Sequence, residues 1–172
     1  FTHHTGAPAI TTEQAHSGKH SLRIERAGGV ILPAVDYAPR KRFRLEFWMK
    51  TVDVQRGANP WNRAGGQIQV QGPFSGRLRH RDIGQTDGAT DWTHHETIIS
   101  YDLKEIPDSF QVILHIWSAS AGVAYFDDVR LVELPPIEPD PRFPHRDEIA
   151  DHPPRVWPMP PVTDGPDEVN TG

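Results

Sequence analysis

The sequence lacks cysteine altogether, and this absence excludes both a disulfide framework and a zinc site built from thiolates. It also lacks any apolar run of roughly 18 residues, so it predicts no helix that spans a bilayer. Basic charge is scarce, because 18 Lys and Arg residues stand against 23 Asp and Glu residues. A protein that binds nucleic acid needs a basic surface to displace counterions from phosphate, so this composition argues against such a partner.

The prolines are unevenly distributed and divide the chain in two. Eleven of the 17 follow Leu134, in a segment that holds three Arg residues against eight acidic ones. Residues 1–134 contain 15 residues of each charge sign. We therefore predict one folded domain over residues 1–134 and an extended, acidic, Pro-rich arm over residues 135–172 that cannot build a core of its own.

Apolar residues in the folded part recur with a period of two, which indicates β-strands. The clearest segment is RKRFRLEFWMKT, residues 40–51, where Phe43, Leu45, Phe47 and Met49 share one side. Further strands are predicted near residues 22, 30, 67, 77, 92, 110 and 123, whereas residues 1–12 read as irregular. Seven to nine strands without a convincing helix predict an all-β sandwich of two antiparallel sheets.

Two stretches at opposite ends of this domain carry a family likeness. HSGKHSLRI (residues 16–24) together with AYFDDVRL (residues 124–131) resembles the paired signature of jelly-roll carbohydrate-binding modules of the family 4, 9 and 22 type. The intervening RLEFWMKT and DWTHHETI fall where such modules carry sheet strands. The resemblance covers about residues 10–134 and implies a jelly-roll β-sandwich that binds a polysaccharide without catalysing a reaction, in an extracellular or periplasmic setting.

The adjacent carboxylates Asp127 and Asp128 need partners, because they interrupt a strand that is otherwise apolar on one side. The resemblance implies one structural Ca²⁺ there, bound by the Asp127 carboxylate and the Lys19 carbonyl, with Glu13 as a third candidate. Ca²⁺ takes six to eight oxygen ligands, more than these three supply. The alternative is that the two carboxylates cap a β-bulge through backbone N–H groups. In either case we expect Asp127 to link the beginning of the domain to its end.

The resemblance also implies that a glycan lies across one concave sheet, stacked on aromatic rings and hydrogen-bonded by amides and charged groups. For Trp48 and Trp117, burial in the core is the alternative to a binding role. Trp61, in a loop, either overhangs the groove or folds back. The predicted ligand-binding residues are Trp48, Arg44, Gln67, Gln69, Gln71, His115, Trp117 and Trp61.

The sequence offers little that could support catalysis. His94 and His95 are adjacent on a predicted strand, so their side chains point to opposite faces and cannot bind one ion together. His16 and His20 have a spacing that matters only on a helix, and Ser17 with Gly18 argues against one. Without a nucleophile motif or a phosphate-binding loop, we expect no enzymatic activity from this chain.

The arm provides a second hypothesis. Its apolar residues are isolated between prolines and acids, and Phe143, Trp157 and Met159 are spaced as anchors for docking on another protein. The chain would then be an accessory subunit of a larger extracytoplasmic or membrane-associated assembly. In that assembly the sandwich would act as a scaffold and the arm would contact other protein subunits.

Overall fold

The computed structural model describes residues 3–4, 8–72, 79–101, 107–117 and 121–136 of the chain. These residues form eleven β-strands and no helix, in agreement with the all-β prediction. The strands are β1 (His3–His4), β2 (Ala9–Thr11), β3 (Ser21–Glu25), β4 (Gly28–Ile31), β5 (Val35–Asp36), β6 (Arg42–Val54), β7 (Ala64–Gln71), β8 (Arg79–Thr86), β9 (Gly88–Ile99), β10 (Ser109–Ile116) and β11 (Val123–Leu134).

The strands form two antiparallel sheets that pack face to face as a jelly-roll sandwich. Sheet A has the order β1-β4-β10-β7-β8, and the short β5 also pairs with β10. Sheet B has the order β2-β3-β11-β6-β9. Most neighbours in each sheet are not consecutive in the sequence, so the fold depends on long-range pairing such as that of β3 with β11.

Alternation along β6 supplies the contact between the sheets. Phe43, Leu45, Phe47 and Met49 point inward and are each at most 4% exposed. The ring of Phe43 lies 5.2 Å from that of Phe110 in β10. The ring of Phe47 packs so closely on Gly66 of β7 that a Cβ there would lie 3.0 Å from it. Each fully buried Phe or Leu side chain contributes about 1.5–3 kcal/mol, so this row fixes which side of each sheet faces the core.

Strand β11 bends at its two adjacent carboxylates. Its register with β6 shifts between Asp127 and Arg130, and Asp128 has a φ of 49°. The backbone N–H groups of His16 and Ser17 donate to Asp127 Oδ2 at 2.8 and 3.0 Å, and the N–H of Asp128 donates to Oδ1 at 2.7 Å. Asp127 therefore fastens the segment before β3 to the last strand of the sandwich, by the backbone capping that the sequence left as one of two alternatives.

Some features of the chain differ from the expectation or lie beyond the described residues. The segment expected to be irregular contains β1 and β2, which are too short for a periodic signal. The chain divides into two units, Phe1–Pro139 and Asp140–Gly172, and the second lies outside the described residues, as do Phe143, Trp157 and Met159. The predicted boundary after residue 134 therefore stays a prediction. The described part of the chain contains no helix long and apolar enough to cross a membrane.

Two glycines with positive φ allow a matched test of the β6–β11 junction. A Cβ on Gly122 (φ 111°) would lie 2.4 Å from the Asp53 carbonyl oxygen, whereas a Cβ on Gly88 (φ 77°) would meet no atom within 4 Å. Both Gly→Ala variants strain the backbone by about 1–2 kcal/mol, but only Gly122→Ala adds a backbone clash. We expect Gly122→Ala to lower the free energy of unfolding by about 2 kcal/mol more than Gly88→Ala in urea denaturation. Equal losses would contradict this packing.

Candidate functional site

The outer side of sheet A carries polar side chains from neighbouring strands. In the register, Gln67 of β7 lies between Ile113 of β10 and Asp82 of β8, and His115 lies between Gly65 and Gly29. Two glycines thus flank His115 on the neighbouring strands. We call this surface the amide face, and it consists of Gln67, Gln69, Gln71, Asp82, Gln85, Gln111, His115 and Trp117.

A hydrogen-bonded row crosses the amide face. The side-chain amide of Gln69 donates to Gln67 Oε1 at 2.7 Å, and the amide of Gln67 donates to Asp82 Oδ1 at 2.8 Å. Gln67 is only 5% exposed although it points away from the core of the sandwich. These contacts fix the orientation of both amides, so the row presents a preorganised set of donors and acceptors.

His115 and Gln85 lie on the same face with buried polar atoms that have no partner. His115 is 1% exposed, and neither of its ring nitrogens has a hydrogen-bond partner among the described residues. The amide nitrogen and oxygen of Gln85 are likewise buried without a partner, above Gly65. Leaving a buried polar group unsatisfied costs about 1–3 kcal/mol. The amide face therefore holds hydrogen-bonding capacity that the described part of the chain does not use.

Burial determines the charge of His115. Desolvation lowers its pKa from 6.5 to about 4, while the nearby Asp82 carboxylate and a weak interaction with the Arg63 carbonyl oppose this shift. The Arg63 carbonyl also accepts the backbone N–H of Trp117 at 3.0 Å. At neutral pH the imidazole is uncharged, and it offers one donor and one acceptor.

Two tryptophans lie at one end of the amide face. The hydrogen bond from Trp117 to Arg63 places the end of β10 beside the start of β7, and the Trp117 ring packs on His115 at a centroid distance of 4.7 Å. Trp61 precedes Arg63 by two residues and is 56% exposed. Trp61 is therefore exposed and does not fold back into the core, and along the chain it lies close to the start of β7.

The structure does not bring all the predicted ligand-binding residues together. Gln67, Gln69, Gln71, His115 and Trp117 share sheet A, but Trp48 and Arg44 lie on β6 in sheet B. Because both sheets bury their inner sides in one core, the outer sides face opposite directions, and the expectation of a single face is corrected.

The surface around Trp48 has a different character. We call the outer side of sheet B the charged face, and it consists of Arg44, Glu46, Trp48, Lys50, His94, Glu96 and Arg130. The His16 ring stacks on the Trp48 indole at 3.8 Å with an interplanar angle of 13°. His16 Nδ1 also lies 2.9 Å from Asp128 Oδ2, and the Ser17 hydroxyl donates to Asp128 Oδ1 at 2.7 Å. One side of the Trp48 indole is thus covered by the chain itself.

Two of the residues suggested for calcium, Asp127 and Glu13, have other partners among the described residues. All three close contacts of the Asp127 carboxylate come from backbone N–H groups, and Glu13 Oε2 lies 3.5 Å from Arg23 Nε and accepts from the Tyr125 hydroxyl at 3.3 Å. These donors take three of the roughly four lone-pair sites of the Asp127 carboxylate. The calcium ion with Asp127, Lys19 and Glu13 as ligands stays a prediction that these contacts do not support.

A different group of metal-ligating side chains does come together on the charged face. One ligand atom each from Glu46, His94 and Glu96 lies within 4.8 Å of the others. His95 points the other way, with its ring 5.3 Å from that of Phe47 in the core. The two adjacent histidines therefore face opposite sides of β9, as the strand geometry predicted.

Comparison with solved structures identifies the fold. The CBM22-1 xylan-binding domain of Paenibacillus barcinonensis Xyn10C matches with a TM-score of 0.54 at 16% identity, over 79% of this chain and 86% of that chain. The C-terminal family 22 carbohydrate-binding module of Clostridium thermocellum Xyn10B matches with a TM-score of 0.54 at 13% identity, over 80% and 87%. A family 16 carbohydrate-binding module matches with a TM-score of 0.53 at 17% identity, over 74% and 86%.

These likenesses confirm the jelly-roll fold that the sequence motifs implied. No family model and no curated protein sequence matches the chain. The chain thus has the architecture of carbohydrate-binding modules, and its binding surface has to be argued from its own residues.

The buried state of His115 predicts a pH dependence of stability. Above pH 6.5 the residue is neutral in the folded and unfolded states and contributes nothing. As the pH falls below 6.5, His115 becomes protonated in the unfolded chain, whereas in the folded chain it stays neutral until about pH 4. The free energy of unfolding therefore decreases over this pH range. Relative to His115→Gln, the wild type should lose roughly 3 kcal/mol of unfolding free energy between pH 7 and pH 4. The exposed His80→Gln serves as a control, and parallel profiles for wild type and His115→Gln would contradict the prediction.

The hydrogen bonds of Asp128 predict a second pH dependence of stability, at lower pH than that of His115. Its hydrogen bonds with His16 and then Ser17 lower its pKa, so its stabilisation is present above about pH 4 and is lost as the pH falls further. Asp128→Asn keeps a residue that tolerates positive φ. We expect it to reduce unfolding free energy by about 0.5–1 kcal/mol at pH 7 and by less below pH 3. Asp53→Asn, also at φ 49° but without a side-chain partner in the described residues, should change neither value.

Proposed function

We propose that the chain is a non-catalytic carbohydrate-binding module and that a neutral polysaccharide binds on the amide face. The observation that carries this proposal is the pair of buried, unpartnered polar side chains, His115 and Gln85, beside the ordered row from Gln69 to Asp82. Sugar hydroxyls both donate and accept hydrogen bonds, so they can satisfy an imidazole, amides and a carboxylate at once.

The aromatic residues add the second element that a sugar site requires. Binding sites combine apolar and aromatic walls with a few convergent polar groups. Trp117, packed on His115, and the exposed Trp61 supply indole surface for the C–H side of a sugar ring at one end of the polar row. The solved structures with this fold support the proposal, because one of them is described as a xylan-binding domain.

The charges of the amide face favour a neutral ligand. Asp82 is the one carboxylate of the amide face, and His115 is uncharged at neutral pH. The other members of the face are amides and Trp117. An anionic sugar would be repelled by the Asp82 carboxylate. Arg44, the one predicted ligand-binding residue with a cationic side chain, lies on the opposite side of the sandwich.

An extracellular or periplasmic setting is part of the proposal, because polysaccharides of this kind lie outside the cytoplasm. The alternative of an accessory subunit rests on the C-terminal arm with Phe143, Trp157 and Met159. These residues lie outside the described part of the chain, so this alternative stays a prediction.

Matched tryptophan variants test the proposed site. In affinity electrophoresis and calorimetry with a panel of soluble neutral polysaccharides that includes xylan, Trp117→Ala and Gln67→Ala should each weaken binding at least tenfold. Trp48→Ala is the control, because it removes an indole of similar exposure from the opposite sheet and should leave affinity unchanged. Thermal melting of each variant separates lost contacts from lost folding.

Two results would contradict the proposal. Loss of binding in Trp48→Ala with retention in Trp117→Ala would move the site to the charged face. Failure of the wild type to bind any polysaccharide of the panel would remove the proposed function.

A further inference from the structure

The charged face brings metal-ligating side chains together on the side opposite the proposed glycan site. Glu46 of β6 pairs directly with Glu96 of β9, and His94 lies two residues before Glu96 on the same side of β9. This register places two carboxylates and one imidazole over adjacent strands, with one ligand atom from each within 4.8 Å of the others. Rigid paired strands hold all three Cα positions.

The two carboxylates have incomplete charge compensation. Like charges directly opposite each other destabilise an antiparallel pair. Arg44 Nε lies 3.4 Å from Glu46 and Arg130 Nη1 lies 3.9 Å from it, but Arg44 Nε makes no hydrogen bond. Glu96 has no ion pair within the described residues. The two arginines contact Glu46 but not Glu96 within the described residues. A cation between Glu46 and Glu96 would therefore relieve the repulsion between the two carboxylates.

A pocket adjoins two of the three side chains, Glu46 and His94, and provides space for water beside an ion. Its volume is about 100 Å³. The His94 ring lies 5.2 Å from the Trp48 indole, whose other contact is the stacked His16. This packing restricts the orientation of the His94 imidazole. The pocket is lined by Glu46, Trp48, His94, Asp128 and Arg130.

We propose that Glu46, His94 and Glu96 form a binding site for a divalent transition-metal ion, with Zn²⁺ as the best fit. One imidazole nitrogen with two carboxylate oxygens is a ligand set that zinc accepts, and it leaves the fourth tetrahedral position to water from the pocket. Tetrahedral zinc requires ligand atoms roughly 3.3 Å apart. His94 and Glu96 are exposed, so their side chains can close the remaining separation without moving the strands.

This site differs from the calcium site implied by the family resemblance. It uses none of Asp127, Lys19 and Glu13, it contains a nitrogen ligand, and its ligands come from β6 and β9. It is also independent of the proposed function, because glycan binding is assigned to the other sheet. An ion here would tie β6 to the edge strand β9 and stabilise sheet B.

Titration of the full chain, stripped of metal, with Zn²⁺ alone tests the proposal. Calorimetry should show one saturable equivalent, and His94→Gln and Glu96→Gln should each weaken it at least tenfold. Zn²⁺ should raise the melting temperature of the wild type by several degrees and that of His94→Gln by much less. With Co²⁺ as the probe, the visible absorption of a tetrahedral ion should appear in the wild type and disappear in His94→Gln.

His80→Gln provides the matched control, because it removes an exposed histidine from sheet A and should retain wild-type affinity. Circular dichroism of each variant confirms folding, and two independent variants guard against the loss of one through misfolding. Absence of saturable Zn²⁺ binding would overturn the proposal. So would binding that both variants retain unchanged, since the ion would then be held by other histidines of the chain.

Discussion

The contact between the two sheets decides everything else about this molecule. Phe43 on Phe110 and Phe47 on Gly66 join β6 of one sheet to β10 and β7 of the other. Each strand has one side committed to this core, so its alternate residues are forced outward. The register then sorts those outward residues into two separate surfaces. A residue's function on this scaffold follows first from which sheet it belongs to and only then from its type.

The polar side chains of the two outer faces differ in their charge and in their partners. On the amide face the polar groups are largely uncharged, recessed and in part unpartnered, which suits a ligand rich in hydroxyls. On the outer side of sheet B, several charged groups compensate one another through ion pairs such as Lys50 with Asp91 and Arg23 with Glu25. Where that compensation is incomplete, around Glu46 and Glu96, the surface suits a cation.

The bulge in β11 affects the accessibility of Trp48 on the charged face. Asp127 caps backbone N–H groups of residues 16 and 17, and this holds His16 where it stacks on Trp48 and contacts Asp128. The electrostatic need of two carboxylates in a strand therefore determines that one side of the Trp48 indole is covered. The same tryptophan on a sheet without this bulge would offer an open platform. Backbone capping at one strand thus affects which outer face can bind a sugar ring.

The sequence by itself determined the longer strands, the inward side of β6 and the family likeness, because period-two alternation and short motifs are local properties of the chain. It also predicted Gln67, Gln69, His115 and Trp117 as site candidates, because their polarity or position on a strand marks them as unusual for a core. It could not assign Trp48 and Arg44 to a different sheet, nor pair Asp82, Gln85 and Glu96 with their neighbours. Those relations depend on which distant strands pair and in what register, and only the tertiary structure decides that.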